Sequence, residues 1–365
     1  MTPYRLASGL ALAALMLAGS TVGIMAQTAA IRYKLTDLGA MSGFPYSRAY
    51  GINNKGQVVG QVAKLEPNIE AHAVLWDGPK MRDIAVPEGL LYGAANSIND
   101  GGQVVGGSEL ENYGSHGFDF MGLADEAYLW HDGKTSALPR GAGPAFPFND
   151  LNHAYQINNH GQIAGEEGSA AALWDQGKLT KLKTGPDYFR SSASAINDKG
   201  QVAGIVFTKE IKRQAAVWSA GQMQLVGTLP GDDQSVVGGI NDNGQVVGSS
   251  GKNNSYWDMP FLWEKGKLIE LTPLEGRTWN NEVLGINNHG QIVGCGMSNN
   301  VYMHAVLWEN NLPNDLNDLI APGSGLVLMK ATAINDKGQI VGEARDANVN
   351  IHAFLLTPIH AAADK

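Results

Sequence analysis

The sequence predicts an all-β protein, a seven-bladed β-propeller whose last blade is closed by the N-terminal strand. Three observations carry this. One nine-residue motif recurs seven times, beginning at Ile52, Ile98, Ile157, Ile196, Ile240, Ile286 and Ile334. Each period holds four short strand candidates separated by turn residues. The two chain ends also complement each other, because the seventh period lacks a fourth strand and the N-terminus supplies one.

Every copy reads Ile-Asn, then Asn or Asp, a free position, Gly-Gln, a β-branched residue, Val or Ala, and Gly. Spacings run from 39 residues (Ile157 to Ile196) to 59 (Ile98 to Ile157). Periods of this length with four strands match propeller blades. Glycine is abundant, at 46 residues, and no 3.6-residue apolar period appears, which excludes a helical solenoid. A mature chain of this size exceeds the usual single core, and stacked repeats resolve that because each packs against its neighbours.

Within a period, strand a ends at Ile-Asn and strand b is the Gln-Val-Val-Gly segment. Strand c runs into a tryptophan, as in His72-Ala73-Val74-Leu75-Trp76 and His304-Ala305-Val306-Leu307-Trp308. Strand d follows a Gly-containing turn. Trp76, Trp130, Trp174, Trp218, Trp263 and Trp308 share one repeated position, which marks them as inter-blade core. The seventh period stops after strand c, near Thr357, while Tyr33-Lys34-Leu35-Thr36-Asp37 reads as a strand d. Pairing the two closes the ring and removes two exposed sheet edges.

The sequence resembles exported bacterial proteins with HAF repeats, named for the His-Ala-Phe that stands here at His352-Ala353-Phe354. Val226-Gly227-Thr228-Leu229-Pro230-Gly231, leading into the copy at Ile240, is similar to that repeat almost throughout. The resemblance covers residues 33 to 357 and implies export, with no activity to carry over. Glu126, Ala170, Gln214 and Met259 replace the name-giving His in other periods.

Residues 1–26 read as a signal peptide, with Arg5 ahead of an apolar run from Leu10 to Leu17. Gly19, Ser20, Thr21 and Gly23 end that run short of the ~20 apolar residues of a transmembrane helix. Residues 27–365 then form one propeller domain, expected as a monomer in the periplasm or outside the cell. Formal charge is -9, with no basic cluster, which argues against nucleic acid. Cys295 is the only cysteine, so no intrachain disulfide forms, and it reads as a buried, inert thiol.

The Asn-Asp/Asn-x-Gly corner invites a calcium reading, but each copy offers at most one carboxylate where a calcium loop concentrates several. Turn chemistry explains it better: a type I turn with left-handed Gly, a bulge, and an Asx turn. His72, His304 and His352 occupy equivalent places in different blades and read as packing or inter-strand bonds. No metal site, cofactor motif, Gly-x-Ser-x-Gly elbow or His-Glu-x-x-His appears.

The a–b and c–d turns share one face and are short and repetitive. The b–c and d–a connections share the other, and read as long, irregular and aromatic, so function is expected there. The candidate ligand-binding residues are Tyr46, Tyr92, Phe148, Tyr188, Arg190, Trp257, Trp279 and Tyr302, for a glycan or protein ligand. The alternative is a polysaccharide hydrolase or lyase using loop carboxylates, among Asp150, Asp187, Asp232, Asp233 and Glu282, or His116. A structural envelope component is the third reading.

Overall fold

The computed structural model describes residues 31–65, 69–86, 92–109, 126–141, 152–252, 259–274, 281–298 and 302–359. These form seven blades of four antiparallel strands, labelled a to d from the axis outward. Blade 4 is representative, with strands Tyr188–Ile196, Val202–Thr208, Arg213–Ser219 and Gln222–Leu225. Blades 1 and 2 are additionally joined by one parallel bridge between Ala71 and Tyr92.

Closure follows the sequence expectation. In blade 7 the strands Val327–Ile334, Ile340–Arg345 and Ile351–Pro358 are completed by Tyr33–Asp37, in register from Tyr33 opposite Pro358 to Asp37 opposite Phe354. Arg32 adds two bonds to Glu309 of blade 6, at 2.7 and 2.9 Å. The seam is also tied by His352, whose Nδ1 meets Asp37 Oδ2 at 3.0 Å. The same strand c to strand d contact joins His72 to Asp83 (2.9 Å) and His304 to Asp315 (2.5 Å). The repeated histidines are thus inter-strand clamps.

The core lies between blades, because each sheet face is apolar and meets the next sheet. One cluster combines Val105, Ala127 and Leu138 of blade 2 with Ala154, Ile163 and Trp174 of blade 3. Another combines Val58, Val74 and Trp76 of blade 1 with Val341 and Ala353 across the seam. Trp76, Trp174, Trp218 and Trp308 are almost fully buried. Three of them reach back to the preceding blade: Trp174 Nε1 donates to Pro139 O, Trp218 to Lys183 O and Trp308 to Thr272 O. A buried indole usually finds such an acceptor, and Trp76, whose Nε1 has none among the described residues, is the exception of the four.

One expectation about the connections is corrected. The b–c links of blades 3, 4 and 7 are tight turns, namely Gly168-Ser169, Lys209 to Lys212 and Asp346 to Asn350. Local hydrogen bonds close the last two: Thr208 N–H donates to Lys212 O, and Asp346 N–H to Asn350 O. The long b–c segments belong to other blades.

Candidate functional site

The motif builds two closed hydrogen-bonded rings about the axis. In every copy the first Asn side chain donates from Nδ2 to the backbone carbonyl of the first Asn in the next blade. The circuit runs Asn53, Asn99, Asn158, Asn197, Asn241, Asn287, Asn335 and back to Asn53, at 2.8 to 3.1 Å. The same Nδ2 also donates to Oε1 of the motif Gln, as Asn241 does to Gln245 at 2.7 Å. Its Oδ1 accepts two N–H groups of its own turn, those of Asn243 and Gln245 in blade 5. Four bonds satisfy the buried amide in six copies, and Asn99 makes three, to Gln103 Oε1, to Asn158 O and from Gln103 N–H.

The second ring uses the next residue. Its backbone N–H donates to the side-chain Oδ1 of the equivalent residue one blade on, through Asn54, Asp100, Asn159, Asp198, Asp242, Asn288, Asp336 and back, at 2.7 to 2.9 Å. This ring needs only an acceptor oxygen, so Asp and Asn interchange. The first ring needs an acceptor and a donor on one short side chain, so every copy holds Asn.

The remaining motif residues serve the same corner. Gly244 has φ +74°, a left-handed conformation that closes the turn. A Cβ on Gly248 would lie 1.9 Å from Val236 O, because strand a bulges toward it. Motif glutamines hold the acidic residue after the tryptophan: Gln57 with Asp77, Gln162 with Asp175 and Gln291 with Glu309. That bond accounts for the acidic residue after Trp76, Trp174 and Trp308.

Between the rings lies an axial cavity of about 150 Å³, lined by the Ile, Asn and Asn/Asp of all seven copies. Its four carboxylates are already engaged. Each Oδ1 accepts a backbone N–H, and each Oδ2 accepts an Asn amide, from Asn54 to Asp100, Asn159 to Asp198, and Asn288 to both Asp242 and Asp336. Among the described residues no group of three His, Cys, Asp or Glu could hold a metal ion.

Further along the inner strands, two polar clusters bridge blades. In blades 3 and 4, Arg190 Nε donates to Oε1 of Glu166 at 2.8 Å, and Glu166 is only 1% exposed. Burial pushes the Glu166 carboxyl above its usual range despite the bonds from Arg190 and Ser192. Tyr155 is pushed up to about 12, first by burial and then by Glu166, and its ring stacks on His153 at 5.5 Å. In blades 6, 7 and 1, Lys330 bonds Glu282 at 2.8 Å and Arg48 lies 3.8 Å from Glu343. Burial opposes the charge on Lys330, but Glu282 and the other acids around it outweigh that and hold it above its usual value. Cys295 is buried beside Glu282, and burial raises its thiol to about 12, which removes it as a nucleophile.

The candidate binding residues are only partly placed. Tyr46 and Tyr188 open strand a of blades 1 and 4, half-buried, with Tyr188 Oη 3.4 Å from Gln214 Oε1. Arg190 shares the blade 4 strand and is committed to Glu166. Tyr92 and Tyr302 open strand a of blade 2 and strand c of blade 6, and their side chains lie outside the described residues. So do Phe148, Trp257 and Trp279. Tyr46 stands three blades from Tyr188 and Arg190, so these do not form one cluster. Tyr155 lies at a bulge within strand a of blade 3.

The profile of a family described as "Protein of unknown function (DUF3466)" matches residues 12–228, more than half of the sequence. The chain belongs to DUF3466. No curated protein matches this DUF3466 sequence. Solved structures match its fold. The β-propeller domain of the Trilobed protease from Pyrococcus furiosus has a TM-score of 0.54 at 10% identity, over 88% of this chain and 100% of that one. A Mycobacterium tuberculosis puromycin-hydrolyzing peptidase has a TM-score of 0.55 at 11% identity, over 86% of this chain and 53% of that one. A chain of the Mitotic Checkpoint Complex has a TM-score of 0.51 at 11% identity, over 99% of both. Identities this low show the fold alone. The Trilobed protease domain is described as having an open velcro topology. This DUF3466 propeller instead pairs its first strand with its last blade.

Proposed function

We propose that this DUF3466 propeller is an exported, non-catalytic recognition module that binds a glycan or a protein on the face opposite the two rings. The observation that carries this reading is the contrast between the faces. All seven a–b corners are built alike, and their polar atoms are spent on neighbouring blades. The b–c connections differ from blade to blade, from Gly168-Ser169 in blade 3 to the stretch between Glu109 and Glu126 in blade 2. Binding residues concentrate on variable connections over a rigid scaffold. Export is supported by Arg5, the apolar run from Leu10 to Leu17 and the HAF-repeat resemblance. We take residues 27–365 as one monomeric propeller.

Polysaccharide cleavage draws less support. Glu282 holds Lys330, Asp233 holds Lys212 at 2.9 Å, and Asp232 accepts from Ser250 at 3.0 Å. A glycan array followed by calorimetry tests the proposal. Saturable binding without product release, weakened by Trp257→Ala, Trp279→Ala or Tyr188→Ala in folded protein, is the expected result. Release of reducing ends or unsaturated sugars overturns it in favour of an enzyme. Absence of any glycan or protein ligand leaves the envelope-component reading.

A further inference from the structure

Non-glycine residues at positive φ are mostly ordinary in this fold: Asp132, Gln176, Ala220, Lys265, Asn310 and Asn311 all lie in c–d turns. Among the described residues two β-branched side chains depart from that, Ile211 (φ 63°) and Val349 (φ 67°). They hold equivalent places in the b–c hairpins of blades 4 and 7, where Ile211 N–H donates to Thr208 O and Val349 N–H to Asp346 O. The same bonding closes every a–b corner, and there all seven copies use Gly. A β-branched side chain at this φ is strained, and burial does not offset it, since Ile211 is 69% and Val349 64% exposed.

Blade 4 adds a second irregularity. Its strand a bulges at Phe189, between the pairs Tyr188–Thr208 and Arg190–Phe207. The bulge leaves the Phe189 ring 56% exposed, 6.2 Å from Phe207. Bulges are a common device for re-aiming a side chain. The hairpin is also locally basic within an acidic chain: Lys209, Lys212 and Arg213 stand against Glu210. Lys212 is paired with Asp233, and Lys209 and Arg213 are exposed. Both distortions therefore expose apolar groups at the point where cations are concentrated.

We propose that this tip of blade 4 is a docking prong for an anionic lipid bilayer. Phe189 and Ile211 enter the headgroup layer while Lys209 and Arg213 meet lipid phosphates. A bilayer accepts a convex apolar prong without a matching pocket, and aromatic, aliphatic and basic side chains together are what interfacial anchors use. Val349, flanked by Asp346 and Asn350, lacks aromatic and cationic company and lies outside the prong. The inference goes beyond the recognition reading and stands without it, because no glycan or protein ligand enters the test.

The test is co-sedimentation of the exported chain with phosphatidylcholine vesicles, with and without phosphatidylglycerol, alongside thermal melts. The wild type is expected to sediment with the anionic vesicles only. Lys209→Gln with Arg213→Gln lowers partitioning about 25-fold, at about fivefold per charge. Phe189→Ser with Ile211→Asn abolishes it without lowering Tm, since Asn suits positive φ. Val349→Asn keeps binding. The proposal is overturned by equal sedimentation with both vesicle types, by none with either, by prong variants that bind as wild type, or by an Ile211→Asn variant that loses Tm together with binding.

Discussion

Replacing Asn241 by Ala removes one link of the first ring. The side chain is 3% exposed and makes four bonds: from Asn243 N–H (3.1 Å) and Gln245 N–H (3.0 Å), and to Gln245 Oε1 (2.7 Å) and Asn287 O (3.0 Å). At a net value of about 1 kcal/mol each, the loss is about 4 kcal/mol. A chain of this size unfolds with an entropy near 0.7 kcal/mol/K, so Tm falls by about 6 °C. Asn241→Asp keeps Oδ1 yet sets an oxygen against Asn287 O, and costs about 2 kcal/mol or more. Asp242→Asn keeps the oxygen that accepts from Asp198 N–H but gives up the bond that Asn288 Nδ2 donates to Oδ2, a loss of about 1 kcal/mol at this half-exposed position. Urea denaturation followed by tryptophan fluorescence ranks the three. An Asn241→Ala loss no larger than that of Asp242→Asn would refute the ring account.

Further outcomes follow from the same geometry. Gly244→Val forces a β-branched residue to φ +74° and costs about 1–2 kcal/mol, while a chelator leaves Tm unchanged; a large chelator effect would restore the metal reading. Gly248→Ala drives a Cβ to 1.9 Å from Val236 O and costs at least about 3 kcal/mol, measured by the same denaturation. Burial of Asp315 opposes its ionisation, but bonds from His304 and Asn317 outweigh this and hold the carboxyl below its usual value. Its contribution is therefore complete above the unfolded value of about 3.9 and is lost as pH falls through the lower folded value. His304→Gln should flatten that acid limb of a Tm-against-pH curve, and an unchanged limb argues against the clamp. Deleting residues 1–38 exposes the edge of Ile351–Pro358, and size-exclusion chromatography should then show association through it.

The blades were legible because each copy carries its own turn, bulge and tryptophan. Gly244 could be assigned from the turn chemistry of one period, Trp218 from the recurrence of its position, and the closing strand from the Asp37 segment. What lay between copies was not legible. Asn241 completes its turn with Gln245, so nothing in a single copy reveals that its amide also reaches Asn287 in the next blade. Glu166 and Arg190 stand on different blades, and their pairing depends on how those blades face each other. The histidine partners Asp83, Asp315 and Asp37 did leave a signal, an Asp closing strand d opposite each His. Ile211 and Val349 carried none, because a Thr-x-x-Ile or Asp-x-x-Val tetrapeptide does not specify a left-handed residue.

Amide hydrogen exchange at the seven second-ring residues, Asn54, Asp100, Asn159, Asp198, Asp242, Asn288 and Asp336, tests the closed ring most directly. In the wild type all seven N–H groups should exchange only through global unfolding, although they sit in turns, and Asn241→Ala should speed all seven together. Exchange at loop rates in the wild type, or acceleration confined to Asp198 and Asp242 in the variant, would show seven separate corners and contradict the account.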